Sequence, residues 1–161
     1  MKLLGIFIPF LFALTARAAD APRACVPSAG LSIGGISLAD TRATAIAKLG
    51  KPKATGTYQG EDDGGLYTGT SLVYPQIELY VDELRGIERI AGTGPSAKLP
   101  FGLKAGISLQ QVAALLHFVP GSVDKNGAIV LPICQVDENA EMRLHFVGGG
   151  LKSVELVQYG P

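Results

Sequence analysis

Two histidines, two cysteines and one tight group of carboxylates are the residues in this 161-residue chain with the most chemistry to offer. His117 and His145 are the available general bases, but neither stands in a pattern that supplies a nucleophile and an orienting acid. The chain has no Gly-x-Ser-x-Gly, His-Glu-x-x-His or Cys-x-x-Cys. Cys25 and Cys134 lack histidines at ligand spacing, so they suit a disulfide better than a zinc site. Glu61, Asp62 and Asp63 crowd three carboxylates together, yet the spacing is not that of a calcium-binding EF-hand loop. Within Tyr58–Gly65 the cluster reads as a solvated turn. Gly34-Gly35 and Gly148-Gly149-Gly150 lack the lysine of a phosphate loop and read as structural turns. No metal and no cofactor is implied.

The elements that would position these residues are written almost twice. Gly35-Ile36-Ser37-Leu38 returns letter for letter as Gly106-Ile107-Ser108-Leu109. Ser37 with Asp40, and Ser108 with Gln111, have the spacing of a capping box, in which two side chains satisfy free N–H groups at a helix start. Leu38, Ala45, Ile46 and Leu49 then fall close to one helical face, and Gly50 and Pro52 end the helix. The second helix runs from Leu109 to Leu116 with Leu109, Val112, Leu115 and Leu116 apolar. Each helix precedes a period-two hairpin: Ile77–Val81 with the return strand Ile87–Ala91, and Met142–Phe146 with Leu151–Val157. Leu66–Tyr74 and Ala128–Leu131 add strand-like runs, and Leu99-Pro100-Phe101-Gly102 joins the halves. The expectation is an α+β fold of two tandem helix-then-antiparallel-hairpin repeats, residues 34–98 and 99–161. Their helices would pack on one face of a joined antiparallel sheet.

The first 18 residues read as a secretory signal peptide. Lys2 supplies the positive end, Leu3 to Leu14 is almost wholly apolar, and Ala16-Arg17-Ala18 fits a small-x-small cleavage site. The apolar run is too short for a comfortable membrane span. After cleavage near Ala18, residues 19–33 form an extended arm rich in Ala, Pro, Ser and Gly. Loss of Lys2 and Arg17 tips a chain with 14 basic and 14 acidic residues slightly acidic, which recommends neither nucleic acid nor a membrane surface as partner. The expected location is periplasmic or secreted, where a Cys25–Cys134 disulfide would form.

Strand alternation selects a face. With Ile77, Leu79, Val81, Met142, Leu144 and Phe146 turned inward, Glu78, Tyr80, Arg143 and His145 turn outward, and Tyr159 falls near them. Tyrosine and arginine are enriched in protein interfaces. The capped Gly-Ile-Ser-Leu helix, the Leu49-Gly50-Lys51-Pro52 stop and the tandem hairpins after a signal peptide resemble the beta-lactamase-inhibitor-protein-like fold, shared with the small outer-membrane assembly lipoproteins. That resemblance covers roughly residues 34–161. It implies a concave sheet gripping a protein partner, and it transfers no binding residue. The expectation is a non-catalytic, protein-binding module of the bacterial envelope. The alternatives are a small periplasmic enzyme using His145 with a nearby acid, and a purely structural envelope factor.

Overall fold

The computed structural model describes residues 24–62, 65–119, 127–134 and 140–159; the signal-peptide segment lies outside the described residues. Strands dominate. Helix α1 (Arg42–Leu49) is followed by β1 (Ala54–Asp62), β2 (Gly65–Tyr74), β3 (Ile77–Asp82) and β4 (Gly86–Thr93). Two single 3-10 turns, Pro95–Ala97 and Pro100–Gly102, lead to α2 (Leu109–Leu116), β5 (Ala128–Pro132), β6 (Ala140–Val147) and β7 (Gly150–Gln158).

All seven strands form one sheet in the order β1-β2-β3-β4-β7-β6-β5, every pairing antiparallel. This overturns the expected pair of helix-then-hairpin repeats packed on a sheet. Over the described residues the fold is mostly an antiparallel seven-stranded sheet with two short α-helices. Its β1–β4 meander is joined through β4–β7 to a β5–β7 meander. The strand with no equivalent in the hairpin expectation is β1. Its sequence, Ala-Thr-Gly-Thr-Tyr-Gln-Gly-Glu-Asp, carries no apolar alternation, so it reads as a loop although it pairs with β2 in unbroken register. Neighbouring backbone supplied what its side chains did not advertise.

The repeated tetrapeptide also divides into two environments. In the second copy Ser108 caps α2: its hydroxyl accepts from Gln111 N at 3.3 Å, and its own N–H donates to Gln111 Oε1 at 2.9 Å. In the first copy Ser37 is not an N-cap. Its N–H and hydroxyl both donate to Asp40 Oδ2, at 2.9 and 3.2 Å, and Lys48 Nζ reaches the same carboxylate at 2.9 Å. With Asp40 held in this turn, α1 starts later, capped by Thr41, whose hydroxyl accepts from Thr44 N at 3.1 Å. The preceding glycines differ as well. Gly34 and Gly35, with φ of 62° and 81°, make a tight turn in which Ile33 and Ile36 exchange backbone hydrogen bonds of 2.9 and 3.0 Å. A Cβ at Gly34 would stand 2.3 Å from Ile77 Cδ1, so the turn sits directly on β3. Gly106 instead donates its N–H to Leu151 O at 2.8 Å.

The core is one-sided. Leu72, Leu79, Ile90, Leu156, Met142 and Leu131 lie opposite one another in a single row across six strands, from β2 to β5. The first five are fully buried. The helices, the arm and the connecting 3-10 turns cover this row with Ile33, Ile36, Ala45, Leu99, Leu103, Val112 and Leu116. Helix α1 contributes little: Ala45 is its one fully buried residue and Ile46 is exposed. Leu115 is likewise half in solvent. The arm enters at Val26, which bridges parallel to Ile133, and a disulfide joins Cys25 to Cys134. Among the described residues no helix is long and apolar enough to cross a membrane.

Two stability measurements follow from this architecture. Leu79→Ala, at the middle of the row, should lower unfolding free energy by about 2–5 kcal/mol in denaturant titration. Replacing both Cys25 and Cys134 by serine opens a closed loop with a sequence separation of 109 residues. A loss approaching ~4–5 kcal/mol is expected in the chain-entropy account.

Candidate functional site

The face away from the core is built by strand phase and one irregularity. Along β3, Ile77, Leu79 and Val81 are buried while Glu78 and Tyr80 are half-buried on the other side. Along β6, Met142 and Leu144 are buried and Arg143 and His145 are half-buried. A bulge between β3 and β4 pairs Tyr80 with Arg89 but Val81 with Ile87, leaving Glu88 as the extra residue. Ile87 and Ile90 both enter the core. Glu88 and Arg89, although adjacent in sequence, therefore share the outer face, which is what a bulge does to side-chain alternation.

Around Glu88 stand three tyrosines. Tyr58 and Tyr67 both donate hydroxyl hydrogen bonds to Glu88 Oε2, at 2.5 and 2.7 Å. Tyr58 meets Tyr67 and Tyr80 edge to face, with centroids 6.3 and 5.1 Å apart. Arg85 and Arg89 lie over the rings of Tyr67 and Tyr80, at 4.4 and 3.7 Å from the centroids, within cation–π reach. Two glycines make the room. Tyr58 faces Gly69 across β1–β2 and Tyr67 faces Gly60. A Cβ at either glycine would come within 2.3 Å of the facing ring. Each ring thus lies over a bare stretch of neighbouring backbone. At the hairpin below, Asp82 Oδ1 accepts from Leu84 N and Arg85 N at 2.8 and 2.9 Å, which holds Arg85 beside Tyr67.

A second cluster occupies β6 and β7. Arg143 Nε donates to Glu141 Oε1 at 2.5 Å, and the Tyr159 hydroxyl donates to the same oxygen at 2.6 Å while contacting the Arg143 guanidinium. His145 Nε2 is buried 3.5 Å from Glu155 Oε2, in a position that makes no hydrogen bond. Of the residues selected by alternation, Arg143, His145 and Tyr159 fall on this side of the face. Tyr80 belongs with the Glu88 cluster, and Glu78 stands two residues before it on the same strand, opposite Val73 and Ala91. Tyr80 and His145 sit three strands apart, about 14 Å at ordinary strand spacing, and do not line one pocket.

The sequence reading passed over Tyr58, Tyr67, Glu88 and Arg89. Glu88 and Arg89 were hidden by the bulge, which breaks the alternation that located Tyr80. Tyr58 was hidden by the turn reading of its segment. A usable signal was present in the matching Tyr-x-Gly spacings, Tyr58/Gly60 and Tyr67/Gly69, which interlock when two such strands run antiparallel.

Burial first, and then the bond to Glu88, push the Tyr58 phenol far above its ordinary range and that of Tyr67 up to about 12. Burial also raises Tyr80, with Arg89 partly offsetting it. Tyr159 is raised by burial and by Glu141. Burial alone would lower Arg143, but Glu141 more than compensates and the guanidinium is held above its usual value. All these phenols are neutral hydrogen-bond donors at physiological pH.

An open cleft of about 870 Å³ lies elsewhere, between Ser28 and Leu31 of the arm, Ser37–Arg42, and the β3–β4 hairpin with Leu84. It contains no histidine. Among the described residues no group of three or more His, Cys, Asp or Glu side chains is placed to hold a metal. His117, at the end of α2, is exposed with φ of 56° and serves as the left-handed C-cap. The outer face thus presents aromatic and guanidinium groups held by one another and by carboxylates. No protein-family model, curated protein or solved structure gives a significant match to the chain.

The Tyr67 phenol makes a pH test possible. Its pKa rises on folding from 10.0 to about 12, so the fold favours the protonated form. That contribution is complete below pH 10 and is lost as pH climbs through about 12. Urea midpoints should fall over this window, and Tyr67→Phe should make the fall shallower.

Proposed function

We propose that this chain is an exported protein of the bacterial envelope that binds a protein partner through the outer face of its sheet. The observation that carries the reading is the composition and fixation of that face. Tyr58, Tyr67, Tyr80 and Tyr159 stand with Arg85, Arg89 and Arg143, each held by a ring contact or a hydrogen bond. Tyrosine and arginine give the largest losses when interface residues are truncated, because each combines a large contact area with a directional polar group. Side chains already fixed by their neighbours lose little freedom on docking, which favours affinity. The Cys25–Cys134 disulfide supports an oxidising location, and the apolar segment after Lys2 supports export.

A second reading rests on His145. Its Nε2 is buried without a hydrogen-bond partner beside Glu155, the arrangement a general base would have before substrate arrives. Under this second reading His145→Asn would abolish catalysis.

Affinity capture from envelope extract tests the leading reading. Tyr80→Ala combined with Arg143→Ala should reduce recovery of a specific partner at least about tenfold, the effect of losing a modest interface anchor. Arg42→Ala, on the α1 side, should leave recovery unchanged, and the thermal midpoints of all three proteins should stay close. Equal recovery by wild type and the double variant would place the partner on a different surface.

A further inference from the structure

The two edges of the sheet are finished differently. At β5 the edge strand is five residues long and ends in Pro132. The arm closes that end: Val26 N donates to Pro132 O at 2.8 Å and Cys134 N to Val26 O at 2.7 Å, with the disulfide alongside. Short length, proline and a covering segment are the devices by which proteins blunt an edge. At the other side, among the described residues, β1 has a single neighbour, β2. It is nine residues long, pairs from Ala54↔Val73 to Asp62↔Gly65 without a bulge, and contains no proline and no lysine. Ala54, Thr55, Gly56, Thr57, Gln59 and Glu61 are all exposed. Among the described residues, nothing covers this edge.

Its charges are placed at opposite ends. Lys51 and Lys53 stand exposed just before β1, and Glu61 stands exposed near its end. Parallel pairing of two such edges would set like charge against like. Antiparallel pairing centred on Thr57 sets Lys53 of each copy opposite Glu61 of the other, and Thr55 opposite Gln59. The same register places Tyr58, already packed against Tyr80, opposite Gly56, the smallest available neighbour. It also places Thr57 opposite itself, a pairing that β-ladders favour.

We propose that β1 is a self-association edge, through which two copies of this chain pair antiparallel about a twofold axis in this register to form one continuous sheet. The occupant is a second copy because the strand is complementary to itself in charge and in side-chain size. The ladder of backbone hydrogen bonds supplies the attraction, as in other strand-addition contacts. The exposed ion pairs are individually weak and select orientation and register. Pairing in this way would bring the Tyr58–Tyr67–Tyr80 clusters of the two copies side by side on the outer face.

Sedimentation equilibrium of the mature, disulfide-bonded chain from low micromolar to near-millimolar concentration tests the proposal. Wild type should dimerise. Lys53→Glu and Glu61→Lys should each weaken dimerisation roughly tenfold, since each places two like-charge pairs across the twofold. Mixing these two variants should produce a heterodimer of wild-type strength, because every cross-strand pair is then opposite in charge. The Lys53→Glu/Glu61→Lys double variant should dimerise like wild type for the same reason. A wild type that stays monomeric throughout would overturn the proposal. So would single variants that dimerise normally, or a mixture and double variant that fail to restore association.

Discussion

The burial of one apolar row determines nearly everything else in this molecule. Leu72, Leu79, Ile90, Leu156, Met142 and Leu131 meet across six strands. Because side chains alternate along a strand, committing this row to the core commits the intervening residues to the opposite face. A slip of one residue in any pairing would put leucine into water and Arg or Glu into the core. At roughly 1.5–3 kcal/mol for each such side chain buried, the row resists that slip strongly. The polar face is thus a consequence of the apolar one, and its rigidity is inherited from it.

The exception to alternation is as consequential as the rule. The bulge in the β3–β4 pairing leaves Ile87 and Ile90 in the core while sending both Glu88 and Arg89 outward. Glu88 is itself buried, at 8% exposure, and a buried carboxylate needs donors. Tyr58 and Tyr67 provide two, and Arg85 lies 3.6 Å from its other oxygen. The tyrosines reach it because Gly60 and Gly69 leave space beneath their rings. One inserted residue and two absent side chains thereby organise most of the outer face of β1–β4.

The two halves share a local vocabulary without sharing a structure. Gly-Ile-Ser-Leu caps a helix at Ser108 and forms an Asp40-anchored turn at Ser37, and the strands that follow number three in one half and four in the other. What differs is the competition for a single side chain. Among the described residues Gln111 answers Ser108, whereas Asp40 answers both Ser37 and Lys48, which in turn reaches Gly35 O at 3.1 Å. A repeated motif indicates a repeated preference, and the tertiary partners decide whether the preference is honoured.

Periodicity by itself determined the strands at Ile77, Ile87, Met142 and Leu151, and that Ile77, Leu79, Val81, Met142 and Leu144 turn inward, since an apolar side chain's aversion to water acts on every copy of the chain alike. The presence of just two cysteines likewise pointed to the Cys25–Cys134 disulfide. Only the tertiary structure decided that β1 is a strand, that the sheet is one surface of seven strands rather than two decorated hairpins, and that Tyr58, Tyr67, Glu88 and Arg89 meet. The reason is physical. The pairing of β1 depends on backbone groups that every residue carries, and the meeting at Glu88 depends on a bulge whose effect lies in the register between strands. Neither leaves a pattern in one segment read alone.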